Sequence, residues 1–410
     1  MGEFSVINLL GDKMKCRICE EECLYLAQLG QQPLANKYPI DSAAITKEKF
    51  WDLNVFICSS CYAGQLSEIL SRDELFLDYY YLSSVNSELV QHFNDLAIQL
   101  SESKFVLDIG SNDGVLLRPL KKLGVKSLGI DPSVNVGRLA NEEGLDTLIG
   151  FFDSDSVQDI IKNHGKPDVV VASSIFTHLE DPKCFVQNLN EVLSDDGVII
   201  IEIEYLLNMI KQYQFERFYF DRVFYYSISS LNDLFSKNGF KLYNIEEIKP
   251  HGGSLRVFIS REASDNKRSE KVLNLLKIEE ESLKKNQVMQ FQHDIESYAK
   301  ELREALEKFS AKGLKVCGFG SPARLATITN FANIGPELIQ YVVDDSPLKC
   351  GRFSPGQSIP IKDRKYMEDN PPDVIIVFAY EYFESIFKFT SKFNVDHYQP
   401  IPFKLLEAPI

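Results

Sequence analysis

The chain has 410 residues, 44% hydrophobic and 25% charged, which is enough for two or three ordinary globular domains. Its net charge of −15 argues against nucleic acid or an anionic membrane as the main partner, so an anionic substrate would have to meet a local cationic pocket. No apolar run approaches the ~20 residues of a membrane-spanning helix, and Val6–Leu10 after Glu3 is too short and too acidic for a secretory leader, so a cytoplasmic protein without membrane association is expected.

The first organised stretch carries two Cys-x-x-Cys pairs, Cys16/Cys19 and Cys58/Cys61. Two such pairs without a leader read as four thiolates around a tetrahedral Zn²⁺, with no open position and hence a structural role. Cys23 is a possible substitute ligand, though the paired spacing favours the other four. Cys184, Cys317 and Cys350 read as ordinary small residues. Trp51–Ile57 alternates as a strand leading into the second pair. This zinc-binding domain is expected over 14–75. Next comes Phe76–Ser84, with three adjacent tyrosines, Tyr79, Tyr80 and Tyr81. One of their hydroxyls should face a polar site, unless the segment is a packing surface between domains.

Val106-Leu107-Asp108-Ile109-Gly110-Ser111-Asn112-Asp113-Gly114 reads as a buried strand and a glycine turn, and Gly129-Ile130-Asp131 ends the next strand in an acid. A dinucleotide site wants Gly-x-Gly-x-x-Gly, so that amides close on a pyrophosphate. Here the turn is Asp-x-Gly-x-x-x-Gly, with an acid where phosphate would be repelled. S-adenosylmethionine (SAM) has no phosphate. Asp108 suits its positive end, Gly110 and Gly114 permit close backbone approach, and Asp131 can accept both ribose hydroxyls. Asn112, Phe152 and Ser174 complete the expected cofactor contacts. Further strands are expected at 104–109, 125–130, 168–173 and 197–203, with 240–246 and 254–260 completing the sheet. Continuous apolar strands separated by helices predict a parallel, doubly wound sheet with ligand at the strands' carboxyl ends, where Asn112, Asp131, Ser174 and Glu204 lie. This domain is expected over 76–262.

Between 263 and 310 an apolar stripe, Val288, Phe291, Ile295, Tyr298, Leu302, Leu306 and Phe309, predicts a packed amphipathic helix. A second α/β unit follows within 263–410. Leu314–Phe319 leads to Gly318-x-Gly320 and Arg324, a pattern suited to an anion cradle of helix N-terminal amides and a guanidinium. Gln340–Asp345 and Asp373–Phe378 are its next strands.

Taken together, the chain resembles the nucleotide-deoxysugar C-methyltransferases of antibiotic and surface-polysaccharide pathways, from Cys16 to about Phe403. The stretches that carry the resemblance are Gly30-Gln31-Gln32-Pro33-Leu34-Ala35-Asn36, Ser111-Asn112-Asp113-Gly114 and His251-Gly252-Gly253-Ser254-Leu255-Arg256-Val257. Gly320-Ser321-Pro322-Ala323 and Val343-Asp344-Asp345-Ser346-Pro347-Leu348-Lys349 add to them. The resemblance implies an α/β fold, a class I SAM methyltransferase doubly wound sheet flanked by a small N-terminal zinc-binding domain and a C-terminal Rossmann-like α/β domain. It implies a structural Zn²⁺, SAM as methyl donor, and a thymidine-diphosphate keto sugar held between the middle and C-terminal domains. The expected partner is thus a small-molecule nucleotide sugar, bound by a monomer, with Glu204, His251, Arg256, Gly320 and Arg324 as substrate-binding candidates.

The resemblance breaks at the catalytic centre. The family pattern Tyr-His-Glu-His is here Tyr219-Phe220-Asp221-Arg222. The second histidine, by resemblance the base that takes the sugar's proton, is Arg222. Carbon methylation beside a ketone needs a base and donors for the enolate. Guanidinium does not give up its proton in proteins, so Arg222 does not inherit the base role. The candidates are His178, His251, Tyr219, Asp221 and Glu204. His178 ranks first, because it follows a strand end and matches a family histidine of the acceptor pocket. Tyr81 matches a tyrosine whose hydroxyl approaches the acceptor. The alternatives are O- or N-methylation of a related anionic sugar, or a binding protein that has lost catalysis. An NAD-dependent oxidoreductase is disfavoured by the incomplete dinucleotide pattern.

Overall fold

The structure, a computed structural model, describes residues 14–70, 83–250 and 253–409. Tyr79–Tyr81 and His251, expected near a polar site, lie outside these residues.

Strands β1 (Cys23–Gln32), β2 (Trp51–Cys58) and β3 (Gly64–Leu66) pair antiparallel beside the cysteine pairs. After helix Ser87–Gln99, capped by Asn86 whose side chain accepts from the Glu88 and Leu89 amides, the central sheet begins. Its parallel strands are β4 (Phe105–Ile109), β5 (Lys126–Asp131), β6 (Thr147–Ile149), β7 (Val169–Ser173) and β8 (Val198–Glu204). β9 (Phe224–Tyr225) leaves this sheet and pairs with β3, so the zinc module's sheet runs β1-β2-β3-β9. β10 (Phe240–Ile248) and β11 (Ser254–Arg261) return as an antiparallel hairpin on β8, giving β10-β11-β8-β7-β4-β5-β6. The sheet is therefore mixed, not wholly parallel as expected.

Helices cover both faces of this sheet, which is why its strands are apolar throughout. Phe105, Leu107 and Ile109 join one core cluster, while Val106 joins another with Phe93 and Leu96 of helix Ser87–Gln99. The 263–310 segment holds two helices, Glu270–Ser282 and Lys285–Ala311, broken at Leu283–Lys284, and the expected stripe lies wholly in the second. The longer helix buries Val288, Phe291, Ile295, Leu302 and Leu306. It rests on β1, where the Gln28 amide donates to Gln292 Oε1 at 2.8 Å.

The third sheet holds β12 (Val316–Phe319), β13 (Tyr341–Val343), β14 (Ile361–Lys362), β15 (Val374–Val377), β16 (Asp396–Gln399) and β17 (Lys404–Leu405), in the order β14-β13-β12-β15-β16-β17. All its pairings are parallel except that of β17. Strand order reverses between β4 and β7 in the central sheet, and between β12 and β15 in this one. Such reversals open a crevice at the strands' carboxyl ends.

Candidate active site

The four expected zinc ligands converge. Cys16 Sγ is 3.7 Å from Cys61 Sγ, Cys19 Sγ is 3.3 Å from Cys58 Sγ, and all four lie within 4.8 Å of one another. Tetrahedral sulfurs at the ~2.3 Å Zn–S bond stand roughly 3.8 Å apart, so the site fits the ion. Backbone N–H groups of Ile18, Ser60 and Cys61 point at Cys16 and Cys58 sulfurs at 3.4 Å, as suits thiolates. The residue after each second cysteine, Glu20 and Tyr62, has φ of 69° and 59°. Left-handed non-glycine residues cost on the order of 1 kcal/mol and persist only where surroundings hold them; here each closes a turn around a ligand pair. Cys23 stays outside the cluster, accepting from Gln65 Nε2 at 3.0 Å.

At the carboxyl end of β4 the chain turns at Gly110 (φ 75°) and its amide donates to Ile130 O. Asn112 follows with φ 49°, donating its N–H to Asp131 Oδ2 at 2.9 Å, while Ser133 N donates to Oδ1 at 2.8 Å. Each Asp131 oxygen keeps a lone pair, so the carboxylate is fixed and can accept two more donors. Gly114 (φ 79°) is a packing requirement: a Cβ there would sit 2.4 Å from Leu145 Cδ1. Asp108 lies behind the turn. Burial, with Asp131 and Glu202 nearby, pushes its carboxyl up to about 8. A cationic ligand would return it to the anion, so the donor set fits SAM. Phe152 packs on Phe185 with ring centroids 5.1 Å apart. Exposed Ser174 follows β7 with φ 59°.

Two measurements follow. Asp131→Ala should weaken SAM binding about 10- to 100-fold by calorimetry, the worth of one or two hydrogen bonds to a charged group. Unchanged affinity would remove Asp131 from the site. Near pH 7 SAM binding should release a proton from Asp108, so its apparent enthalpy should vary with the buffer's ionisation heat, and Asp108→Asn should abolish that variation.

A second constellation forms where the central and third sheets meet. Glu204 ends β8, pairs with Arg222 Nη2, and receives Arg217 Nη1 at 3.4 Å. Arg217 Nη2 reaches across to Glu381 Oε1 at 2.5 Å, and Glu381 Oε2 is 2.7 Å from Arg324 Nη2. Tyr380 OH donates to Glu216 Oε1 at 2.8 Å. The arginine charges hold Glu381 below the usual carboxylate range despite burial, whereas burial raises Glu216. Arg222 Nε and Nη1, Arg217 Nε, Arg324 Nη1 and Glu216 Oε2 are buried without a hydrogen-bond partner among the described residues. Arg222 lies 4.8 Å from the centre of the Tyr219 ring, whose phenol burial pushes up to about 12.

His178, in the turn after β7, has its Nδ1 against the Asp221 carbonyl. A carbonyl only accepts, so Nδ1 carries the hydrogen and Nε2 is the basic nitrogen. The neighbouring Val223 amide donates to Thr177 O at 2.9 Å.

Three of the expected site positions have other partners in this geometry. Asp221 does not join the ion-pair chain; its carboxylate accepts from Asn36 Nδ2 at 2.7 Å, tying the loop to the zinc module. Arg256 is buried and committed to its neighbours in the fold. Its Nε bonds Glu202 at 2.8 Å, its Nη1 bonds Gln99 at 3.1 Å and Glu246 at 3.4 Å, and Glu202 also meets His92. The turn at Gly320 is no open anion cradle, because the Ser321 amide donates to Asp344 Oδ2 at 2.7 Å. Gly320 (φ 84°) is needed for shape, since a Cβ would sit 2.4 Å from Ala379 Cβ. Arg217, Glu216, Tyr380 and Glu381 were not singled out from the sequence. The signal for the first pair was present, as Glu216-Arg217 is a charged pair inside the largely aromatic run Phe215–Tyr226.

Three family models tile the chain: "Putative zinc binding domain" over 16–76, "Methyltransferase domain" over 79–245 and "C-methyltransferase C-terminal domain" over 249–399. The chain is 27% identical to the C-methyltransferase NovU of Streptomyces niveus over 377 residues, 90% of each protein. It is 32% identical over 101 residues to the mitochondrial ubiquinone biosynthesis O-methyltransferase of Bos taurus, covering 23% of this chain and 27% of that one. The magnesium protoporphyrin IX methyltransferase of Synechocystis PCC 6803 with bound SAM matches with a TM-score of 0.33 and 16% identity, over 42% of this chain and 79% of that one. Among the described residues, no helix is long and apolar enough to cross a membrane.

Proposed function

We propose, from the premise that this chain belongs to the C-methyltransferases built of a zinc-binding module, a SAM-dependent methyltransferase domain and a C-terminal partner domain, that it methylates a carbon beside the ketone of a nucleotide-linked sugar. The observation that carries the sugar reading is the ion-pair chain Arg222–Glu204–Arg217–Glu381–Arg324 at the meeting of two crevices. Orphaned donors there stand beside an orphaned acceptor, Glu216 Oε2. Each buried unsatisfied group costs about 1–3 kcal/mol. A polyhydroxylated ligand answers both kinds, because a hydroxyl donates and accepts at once.

In this reading the crevice at Gly110, Asn112 and Asp131 holds SAM, which when bound supplies an electrophilic methyl group. The turn and the Asp131 carboxylate orient it, and orientation accounts for much of the rate in such transfers. His178 Nε2 removes the acceptor's α-proton, with its tautomer fixed by the Asp221 carbonyl. Arg217 bridges the two domains through Glu381, which Arg324 also holds, so sugar hydroxyls that meet these arginines would hold the crevice together. Tyr219 remains a neutral phenol near neutral pH and donates rather than accepts a proton. The test is product mass spectrometry after incubating the protein with SAM and a panel of nucleotide keto sugars. A 14-dalton gain resistant to ether and ester cleavage supports a new carbon–carbon bond, while methylation of an oxygen or nitrogen, or none, rejects it.

A further inference from the structure

Arg222 presents a problem in chemistry: a permanent cation stands where a base is expected. Its Nη2 is held by Glu204 and its Cζ lies over the Tyr219 ring, 4.8 Å from the centre, so the guanidinium is held from two sides. Nε and Nη1 remain buried without an acceptor among the described residues, and the side chain is only 11% exposed. The same loop carries the base. Asp221 O anchors His178 Nδ1, and Val223 N binds Thr177 O, so residues 177–178 and 221–223 run side by side. A fixed donor and an imidazole are thus carried on two adjoining segments.

We infer that the unpartnered N–H groups of Arg222 hold the oxygen of the enolate formed when His178 Nε2 takes the neighbouring proton, which makes Arg222 a catalytic residue. This rests on the carbon-methylation reading above. The C–H pair becomes the carbon–carbon π bond, the carbonyl π pair moves onto oxygen, and the proton resides on Nε2. As carbon then bonds the methyl, the carbonyl re-forms, and the carbon–sulfur bond breaks with its pair on sulfur. Charge balance agrees with a single developing negative charge. Arg217, Arg222 and Arg324 face Glu204, Glu216 and Glu381, so even with Glu216 protonated only one positive charge is spare. That falls short of a diphosphate and matches one enolate. An interaction realised only as the charge appears accelerates the step rather than tightening ground-state binding.

The experiment follows proton exchange without methyl transfer. Thymidine-diphosphate 4-keto-6-deoxyglucose is incubated with the protein and S-adenosylhomocysteine in D₂O, and loss of the α-proton signal is timed by NMR. The wild type should exchange. Arg222→Gln should slow exchange about 10²- to 10³-fold, the usual effect of removing one oxyanion donor, with methyl transfer falling in parallel and SAM affinity unchanged. Arg222→Lys keeps a charge for Glu204 but loses the planar fork, and should slow exchange about tenfold; it decides the matter if the Gln variant does not fold. Wild-type exchange in a folded variant with only KM raised would overturn the inference and make Arg222 a clamp for a fixed substrate group. Absence of both exchange and methyl transfer in the wild type, across nucleotide keto sugars, would instead overturn the acceptor assignment.

Discussion

Cys58→Ser should strip the protein of its zinc and leave it largely insoluble or melting far below the wild type. Zinc binding to isolated four-ligand modules is worth on the order of 10 kcal/mol, comparable to the whole stability of a domain. Here Cys58 also ends β2, so an unfilled cluster leaves three buried sulfur groups and a half-buried one crowded within 4.8 Å. The check is metal content by elemental analysis alongside thermal denaturation. Cys23→Ser is the internal control: its sulfur lies outside the cluster and bonds Gln65, so metal content should stay at wild type. A folded Cys58→Ser protein without zinc would show that the module stands without its ion.

His178→Gln should lower kcat by about 10²- to 10⁴-fold, the span of general-base contributions, while SAM affinity stays within a factor of two or so. Gln can still donate to the Asp221 carbonyl, so the loop geometry is retained and the loss reports the basic nitrogen. Retention of full turnover would move the base to another group, with Glu204 excluded by its two arginine partners.

Different parts of the molecule were legible to different degrees, for physical reasons. The cysteine pairs and the turn at Gly110 were readable because their chemistry is local: ligand spacing and positive φ are written within a few residues. The ion-pair chain was not, because Arg217 and Glu381 lie 164 residues apart and only the docking of two sheets brings them together. Arg256 shows a third case. An arginine in a family-like stretch suggested a substrate anion, yet β11 pairs it opposite Glu202 on β8 and Glu246 on β10. Opposite charges facing each other across strands stabilise a sheet, and registering the hairpin first would have pointed to that use. The short strands β6, β14, β16 and β17 escaped because two to four residues give no readable alternation.

The return of β9 to the zinc module's sheet has a consequence for how such proteins can recombine. Residues just past Arg222 form the outer strand of a sheet whose other three strands precede residue 70, and Ser227 Oγ donates to Cys61 O at 3.1 Å. A chimera exchanging only the N-terminal segment between relatives would carry an edge cut to fit another protein's 223–227 loop. Such hybrids should regain turnover when that loop travels with its metal-bearing half, so the heritable unit is a discontinuous block joining the ion to the chemistry.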